Sequence, residues 1–308
     1  MKEKPLVSVI VPTYKRPSKL KRALDSINSQ TYENIEIIVV DDNNENDRFR
    51  RETIEFIKKY RTDKKIQYIK HKNNKGGALA RNTGIKNAEG EFITFLDDDD
   101  EYLPEKVEKQ YNKYINSAYT NLGLVYCQIN FMDSKGNYRK MRAKTYASGN
   151  TEALKKHMIR NLSPTSGLFL RKKIFDKVGL FKDLLTGHEY ELILRILIKG
   201  FNVDYNKEAM VNMYYHTEGR LSNSDKKIQG EKDLFRIKMK YFNLVGNEIE
   251  KKVKYKHYLD MTKRYLMQNK KKEAKKYLNK AFHQDNFKIK TLINYTGILI
   301  DKFKSRWV

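Results

Sequence analysis

The chain has 308 residues, 39% of them hydrophobic, a single cysteine and a formal net charge of +25. A core of domain size is within reach, but Cys127 excludes an internal disulfide framework and suits a reducing compartment. No apolar run reaches the ~20 residues of a membrane span, and Met1–Pro5 lead into a strand without a signal-length apolar segment, so the expectation is a cytoplasmic protein.

Val7–Val11 (VSVIV) is short, continuous and β-branched, the pattern of a buried strand, which Pro12 is expected to end. Leu20, Ala23, Leu24 and Ile27 then recur at helical spacing. Ile35–Val40 reads as a second buried strand ending in Asp41 and Asp42, Thr53–Tyr60 as a helix and Ile66–Ile69 as a third strand. A helix over Ala78–Asn87 follows the pair Gly76–Gly77, and EFITFL is a fourth strand. Such alternation predicts an α/β fold with a parallel sheet and right-handed crossovers. Ligands of these sheets bind beyond the carboxyl ends of the strands. Pro12–Thr13, Asp41–Asp42, His71–Lys75 and Asp97–Asp100 are therefore expected to converge on one crevice.

Beyond it the pattern predicts a helix over Glu105–Ala118, a strand over Leu122–Phe131, a hairpin through Ser134–Gly136 and a strand over Ser166–Lys172. A helix over Tyr190–Lys199 and a last strand over Ala209–His216 complete this part. After Lys226 the chain reads as helical, with a hairpin turning near Gln268–Lys271 and Ala274, Tyr277, Leu278 and Ala281 along its second helix. Residues 226–308 hold 23 Lys/Arg and 8 Asp/Glu, so +15 of the +25 lies there. That excess suggests an anionic partner: a membrane surface, nucleic acid or a polyanionic substrate. A solvated lysine-rich surface accounts for it equally well. In the membrane case Ile289–Val308, with Trp307 near its end, is the better candidate to lie on an anionic bilayer. Tyr258, Tyr265 and Tyr277 suit packing of the hairpin or a second subunit, a homodimer.

FITFLDDDDEYLP poses an electrostatic problem. Four consecutive aspartates end a buried strand, and like charges that close repel, so a positive partner belongs there. VSVIVPTYKRPSKLKRALDSINSQTYENIEIIVVDD and NNKGGALARNTGIKNAEGEFITFLDDDDEYLP resemble, in order, the motifs of family 2 glycosyltransferases of the GT-A fold. The resemblance covers roughly residues 5–220. It implies a Rossmann-like, mostly parallel sheet flanked by helices, to which the helical stretch read after Lys226 would be a C-terminal extension. Residues 1–225 would be the catalytic domain, 1–104 its nucleotide-binding half and 105–225 its acceptor half, and 226–308 the basic helical region. The activity implied is inverting transfer of a hexosyl or N-acetylhexosaminyl group from a nucleotide-diphospho-sugar, UDP-linked. The acceptor would be a glycan or lipid-linked glycan in surface polysaccharide synthesis, at the inner face of the cell membrane.

Carried onto this sequence, the family's D-x-D pattern falls on Asp97 and Asp99. Asp99 would hold the metal and Asp97 the ribose or the metal; Asp98 sits at the variable position, beside the nucleotide-sugar. Mn2+ or Mg2+ suits such a site, because it takes one or two hard carboxylate oxygens and completes its shell with phosphate and water. Asp100 is read as capping the turn before Pro104. Pro12, Thr13, Tyr14 and Arg16, with Asp41 and Asp42, would hold the base and ribose. Lys75 and Arg81 flank a helix N-terminus, a favourable place for phosphate, and Arg81 matches the arginine of the family's A-R-N-x-G stretch. Arg220 would close over the diphosphate and His216 would help ligate the metal. In GHEYELILR, Glu189 falls at the general-base position, His188 stands where an acidic or amide residue is usual, and Glu191 is the fallback base.

Each role has a plainer alternative: a turn cap for Asp41, a surface ion pair for Arg81, a first-turn acid complementing the helix dipole for Glu189. Two other functions are open. A sugar-1-phosphate nucleotidyltransferase usually opens with a glycine-rich loop, which VPTYKRPSK lacks. A non-catalytic glycan- or nucleic-acid-binding module could use the basic end, although the acidic crevice argues against nucleic acid. No G-x-G-x-x-G follows the first strand, against a dinucleotide site, and no His or Cys spacing suggests zinc.

Overall fold

The structure, a computed structural model, describes residues 4–141, 146–214 and 225–284. Strand and helix alternate as β1 (Val7–Thr13), α1 (Pro17–Asn28), β2 (Ile35–Asp41), α2 (Arg48–Lys59), β3 (Lys65–Lys70), α3 (Gly77–Asn87) and β4 (Phe92–Phe95). β1 pairs in parallel with β2 and β4, and β2 with β3. β1 and β2 are buried nearly end to end because helices cover both faces. Val7, Val9 and Val11 share a core cluster with Leu20, Leu24 and Ile27 of α1. On the other face α3 approaches so closely that a Cβ on Gly84 would lie 2.4 Å from Ile10.

Pro12 does not end β1, which runs on to Thr13 in register with Asp41. The N–H of Val7 is bonded to Asn34 on the β2 side, so the backbone at Ile10 and Pro12 faces β4. β4 is paired only as far as Ile10, and the missing N–H of Pro12 breaks no ladder.

The remaining elements of this unit are β5 (Asp100–Tyr102), α4 (Lys106–Ile115), β6 (Leu122–Met132), β7 (Tyr138–Met141), α5 (Thr151–Ile159), β8 (Leu168–Arg171), α6 (Ile174–Val178), α7 (His188–Ile198) and β9 (Asn202–Tyr214). One mixed sheet results, ordered β3-β2-β1-β4-β8-β6-β9-β5, with β7 paired to β6. β8 runs antiparallel to β4 and β6, and β5 antiparallel to β9. Chain order reverses around β1, between β2 and β4, so a crevice opens at the carboxyl ends of β1 and β4. Asp100 does not cap a turn: it opens β5, buried and paired with Met213. Three residues are too few to show a period.

A second unit joins Leu185–Gly187 to the C-terminal helices: α8 (Asp225–Met239), α9 (Asn247–Met267) and α10 (Lys271–Phe282). The expected hairpin is α9–α10, turning through Asn269 in the left-handed region, φ 57°. Ala274, Leu278 and Ala281 are buried, Tyr265 stacks on Tyr277 at 5.4 Å, and Tyr258 lies 6.2 Å from Tyr277. These tyrosines pack within the hairpin. Among the described residues no helix is long and apolar enough to cross a membrane. His216, Arg220 and Ile289–Val308 lie outside the described residues.

Lys106 carries no signal in the sequence, yet it is wholly buried on α4. Its Nζ donates to Thr94 Oγ1 and sits 4.0 Å from the Tyr102 ring centroid. Burial pushes its pKa down to about 7, against about 10.4 for an unfolded lysine. Between these values the unfolded chain binds the extra proton, so this group makes stability rise with pH across that window, by about 1.4 kcal/mol per pH unit at most. Lys106→Met keeps the volume and removes the charge. Its melting temperature relative to wild type is expected to be raised at pH 6 and to lose that advantage by pH 10. A difference independent of pH would show that Lys106 titrates as a solvated lysine.

Candidate active site

Asp97, Asp98 and Asp99 have arginines of the protein itself as charged partners. Asp97 accepts from Arg81 of α3, and Asp99 Oδ2 lies 2.6 Å from Nη1 of Arg16, in the loop before α1. Asp98 turns inward, accepting from Thr13 Oγ1 at 2.8 Å, the Tyr14 N–H at 3.2 Å and Arg16 at 3.2 Å. Asp100 accepts from Ser166 Oγ at 3.0 Å, and the same oxygen receives the Asp97 N–H at 3.3 Å. Burial, then the charge of Asp99, pushes Asp98 up to about 7. Burial, then Asp97 and Asp99, raises Asp100 well above the carboxylate range. Burial thus disfavours the charged form on the two inward members of the cluster. The Asp97 and Asp99 side chains keep 34% and 16% of their surface, against 5% for Asp98, so the two residues matched to the D-x-D pattern are the more exposed ones. Asp98, placed with the nucleotide-sugar contacts by the sequence, instead shapes the β1 loop. Lys15 in that loop has φ 58°, a strained conformation for a lysine, held by its N–H to Asn43 Oδ1 at 2.8 Å.

The carboxylates at the end of β2 do not face the crevice. Asp41 is fully buried; it pairs with Arg50 of α2 at 2.9 Å and accepts from Tyr68 and from the Asn43 N–H. Asp42 is also buried and accepts from the Lys75 and Gly76 N–H groups and from Asn74 Nδ2, each at 2.8 Å, beside the His71 ring at 2.7 Å. Both carboxylates are thus taken up by protein partners in this arrangement: four groups around the two oxygens of Asp42, and three hydrogen bonds with the Arg50 ion pair on Asp41. Asp42 instead ties the loop before α3 to the end of β2. That loop reaches Gly76 at φ 87°, which only glycine adopts cheaply, and α3 then presents its N-terminus beside Arg81. Lys75 is exposed at its mouth, Pro12 is half-buried, and Tyr14 is 38% exposed.

The third wall is the start of α7. The guanidinium of Arg195 donates to the carbonyls of Val178, Gly179 and Leu180, and Asn82 of α3 makes two hydrogen bonds to the backbone of Phe181, at 2.8 and 2.9 Å. This pins the segment leading into α7. Glu189, in the first turn, is partly exposed and accepts from Asn161 Nδ2 at 3.0 Å. Glu191 is buried and locked by Arg195 and Lys182, each at 2.7 Å, so the fallback base is withdrawn. His188 lies close enough to Glu189, Arg81 and Asp97 to feel their charges; burial first, then Arg81, lowers its pKa against the pull of the acids. Its buried Nδ1 has no hydrogen-bond partner among the described residues. α7 therefore faces the Asp97–Arg81 pair.

Several contributors escape a sequence reading. Arg22 of α1 donates to the Asp99 carbonyl at 2.5 Å and stacks 3.5 Å from the Tyr214 ring centroid, yet nothing marks it among the lysines and arginines of that helix. Asn161 and Ser166 sit in NLSPTSG, where the polar cluster marks only a loop.

Among the described residues no three acids, histidines or cysteines gather to form a metal cage. Two outward carboxylates with no sulfur donor still fit a hard divalent ion that takes its other oxygens from phosphate and water.

A model of the family described as glycosyl transferase family 2 matches residues 8–179. An uncharacterised glycosyltransferase of Methanocaldococcus jannaschii is 30% identical over 213 residues, covering 68% of this chain and 70% of that protein. A GalNAc(5)-diNAcBac-PP-undecaprenol β-1,3-glucosyltransferase of Campylobacter jejuni is 43% identical over 100 residues, 32% of this chain and 31% of that protein. Among solved structures, a Pyrobaculum calidifontis mannosyltransferase in complex with GDP-Man and Mn2+ superposes with a TM-score of 0.63 at 16% identity, over 97% of this chain and 86% of that one. TarS 1–349 of S. aureus in complex with UDP-GlcNAc gives 0.57 at 20% identity, over 96% and 80%. At these identities the two structures share the fold, the GT-A architecture.

Proposed function

Because the chain belongs to glycosyl transferase family 2, we propose that it is an inverting enzyme that moves a sugar from a nucleotide-diphospho-sugar, UDP-linked, to a glycan or lipid-linked glycan. The observation that carries this reading is the crevice itself: Arg16 and Arg81 holding Asp99 and Asp97 at the end of β4, with the first turn of α7 facing them. A nucleotide-sugar bound to a fold neighbour supports the donor class, and an undecaprenol-linked substrate in the name of a relative supports a lipid-linked acceptor.

Glu189 takes the proton of the acceptor hydroxyl, whose oxygen attacks the anomeric carbon as the bond to the diphosphate oxygen breaks on the opposite side, inverting the centre. Arg16 and Arg81 transfer their charge-assisted hydrogen bonds from carboxylate to phosphate oxygens, and the N-terminus of α3 adds its dipole. Asp99 and Asp97 would hold Mn2+ or Mg2+, which when bound would neutralise charge on the leaving diphosphate. The base rests on the Pro12–Tyr14 edge, since Asp41 and Asp42 are engaged elsewhere.

A panel of UDP- and GDP-sugars, assayed for nucleoside diphosphate release with Mn2+ and with chelator, tests this. Slow release from one donor with Mn2+, accelerated by a glycan acceptor, is expected. No release and no thermal stabilisation by any nucleotide would overturn it, and pyrophosphate exchange with a sugar-1-phosphate would favour the nucleotidyltransferase.

A further inference from the structure

The helical unit is strongly basic, and its acids are unevenly placed. Residues 225–284 hold 18 Lys/Arg against 7 Asp/Glu, a net of +11. On α8 and α9, Glu231, Asp233, Glu248 and Glu250 pair with Lys or Arg of those helices, and Asp225 pairs with Lys270 in the turn. α10 differs. Its sequence KKEAKKYLNKAF has five lysines and one acid, Glu273. Ala274, Leu278 and Ala281 are buried, while Lys271, Lys272, Lys275, Lys276 and Lys280 are all exposed. That spacing sets Lys272 and Lys276 opposite the buried stripe with Lys275 beside them, while Lys271 lies nearer the stripe and the Lys280 ammonium sits 5.4 Å from the Tyr277 ring centroid. Among the described residues, no ion pair engages Lys272, Lys275 or Lys276. Phe282 falls seven residues, or two turns, after Lys275 on the same face, and it is 41% exposed.

We propose that this outer face of α10 is a docking surface for an anionic lipid bilayer. Charge complementarity excludes a second copy of the same face. The choice of residue separates a bilayer from a nucleic acid. All five cations are lysines, compact point charges suited to a diffuse anionic surface, whereas bidentate grip on individual phosphates calls for arginine. A single convex helix face cannot enclose a strand, and it offers no series of aromatic rings for bases to stack on. An exposed phenylalanine beside a lysine row is instead the arrangement by which a helix lies in a headgroup layer, with the ring in the acyl boundary and the ammonium groups among the phosphates. This differs from placing membrane contact in Ile289–Val308, because it assigns the charge to α10.

Co-sedimentation of the full chain with phosphatidylglycerol and with phosphatidylcholine vesicles, at low and high salt, tests it. The protein is expected to bind the anionic vesicles at low salt and to lose most of that binding at high salt. The triple variant Lys272→Gln, Lys275→Gln, Lys276→Gln should bind roughly 100-fold more weakly, about fivefold per lysine, with an unchanged melting temperature. A matched triple change of exposed lysines elsewhere, Lys58→Gln, Lys59→Gln and Lys72→Gln, should leave binding within about twofold of wild type. Phe282→Ser should weaken binding to anionic vesicles even at high salt. Wild-type binding by the α10 variant, an equal loss in the matched variant, equal binding to phosphatidylcholine, or retention on an oligonucleotide but not on vesicles would each overturn the proposal. No nucleotide-sugar enters this experiment, so its outcome is independent of the sugar-transfer assay.

Discussion

Asp99→Asn is expected to lower sugar transfer by at least about 100-fold while leaving the melting temperature near that of wild type. Asp98→Asn is expected to behave in the opposite sense, losing stability first. Both are carboxylates in the same tetrad, and the sequence alone makes position 98 the tolerant one. The structure reverses this. Three donors, from Thr13, Tyr14 and Arg16, converge on the two oxygens of Asp98. An amide turned into that cluster leaves a buried donor facing a donor, at a cost of about 1–3 kcal/mol. Asp99 keeps more of its surface and pairs with an arginine that is itself 45% exposed, so loss of that pair contributes about 0–1 kcal/mol. What Asp99→Asn removes is the negative charge that would hold a divalent ion against the diphosphate. Turnover across a Mn2+ titration, measured beside thermal melts of both variants, separates the two roles. Equal turnover and equal melting temperatures in the two variants would show that the tetrad has no inside and outside.

The parallel half of the fold was legible because burial on two faces writes itself as unbroken β-branched runs, as in VSVIV and IEIIVV. Helices with one wet face were equally plain. β5 and α5 were not, since three residues show no period and α5 is anchored by distant partners. The start of β9 at Asn202, well before the apolar run at Ala209, follows from its pairing with β6 rather than from its own residues. At the site, residue types and their order were readable, but orientation was not. Whether an aspartate at a strand end faces ligand or core depends on what folds over it. Asp41 is claimed by Arg50 from the next helix and by Tyr68 from the neighbouring strand. Asp100 is claimed by Ser166, 66 residues away. The same holds on α7, where Glu189 and Glu191 look interchangeable until Arg195 and Lys182 are seen to hold one of them.

Glu189→Gln is expected to reduce kcat by about 100-fold to 10,000-fold with nucleotide affinity unchanged. The glutamine side chain has nearly the same shape, and its carbonyl oxygen can still accept from Asn161 Nδ2, so the first turn of α7 stays in place while the proton acceptor is lost. Glu191→Gln is the informative contrast. Glu191 is buried between Arg195 and Lys182, and Arg195 also holds the three carbonyls before α7. Breaking a buried pair from one side leaves an uncompensated charge and costs about 3–5 kcal/mol, so this variant should melt early, and whatever activity remains should follow its folded fraction. Calorimetric titration with nucleotide, thermal melts and single-turnover transfer distinguish the two. Loss of nucleotide binding in Glu189→Gln would make that residue structural. Wild-type turnover in Glu189→Gln would remove its carboxylate from the reaction, and with Glu191 locked in its ion pairs it would leave α7 without a carboxylate base, sending the search to His188 and the carboxylates around Asp97.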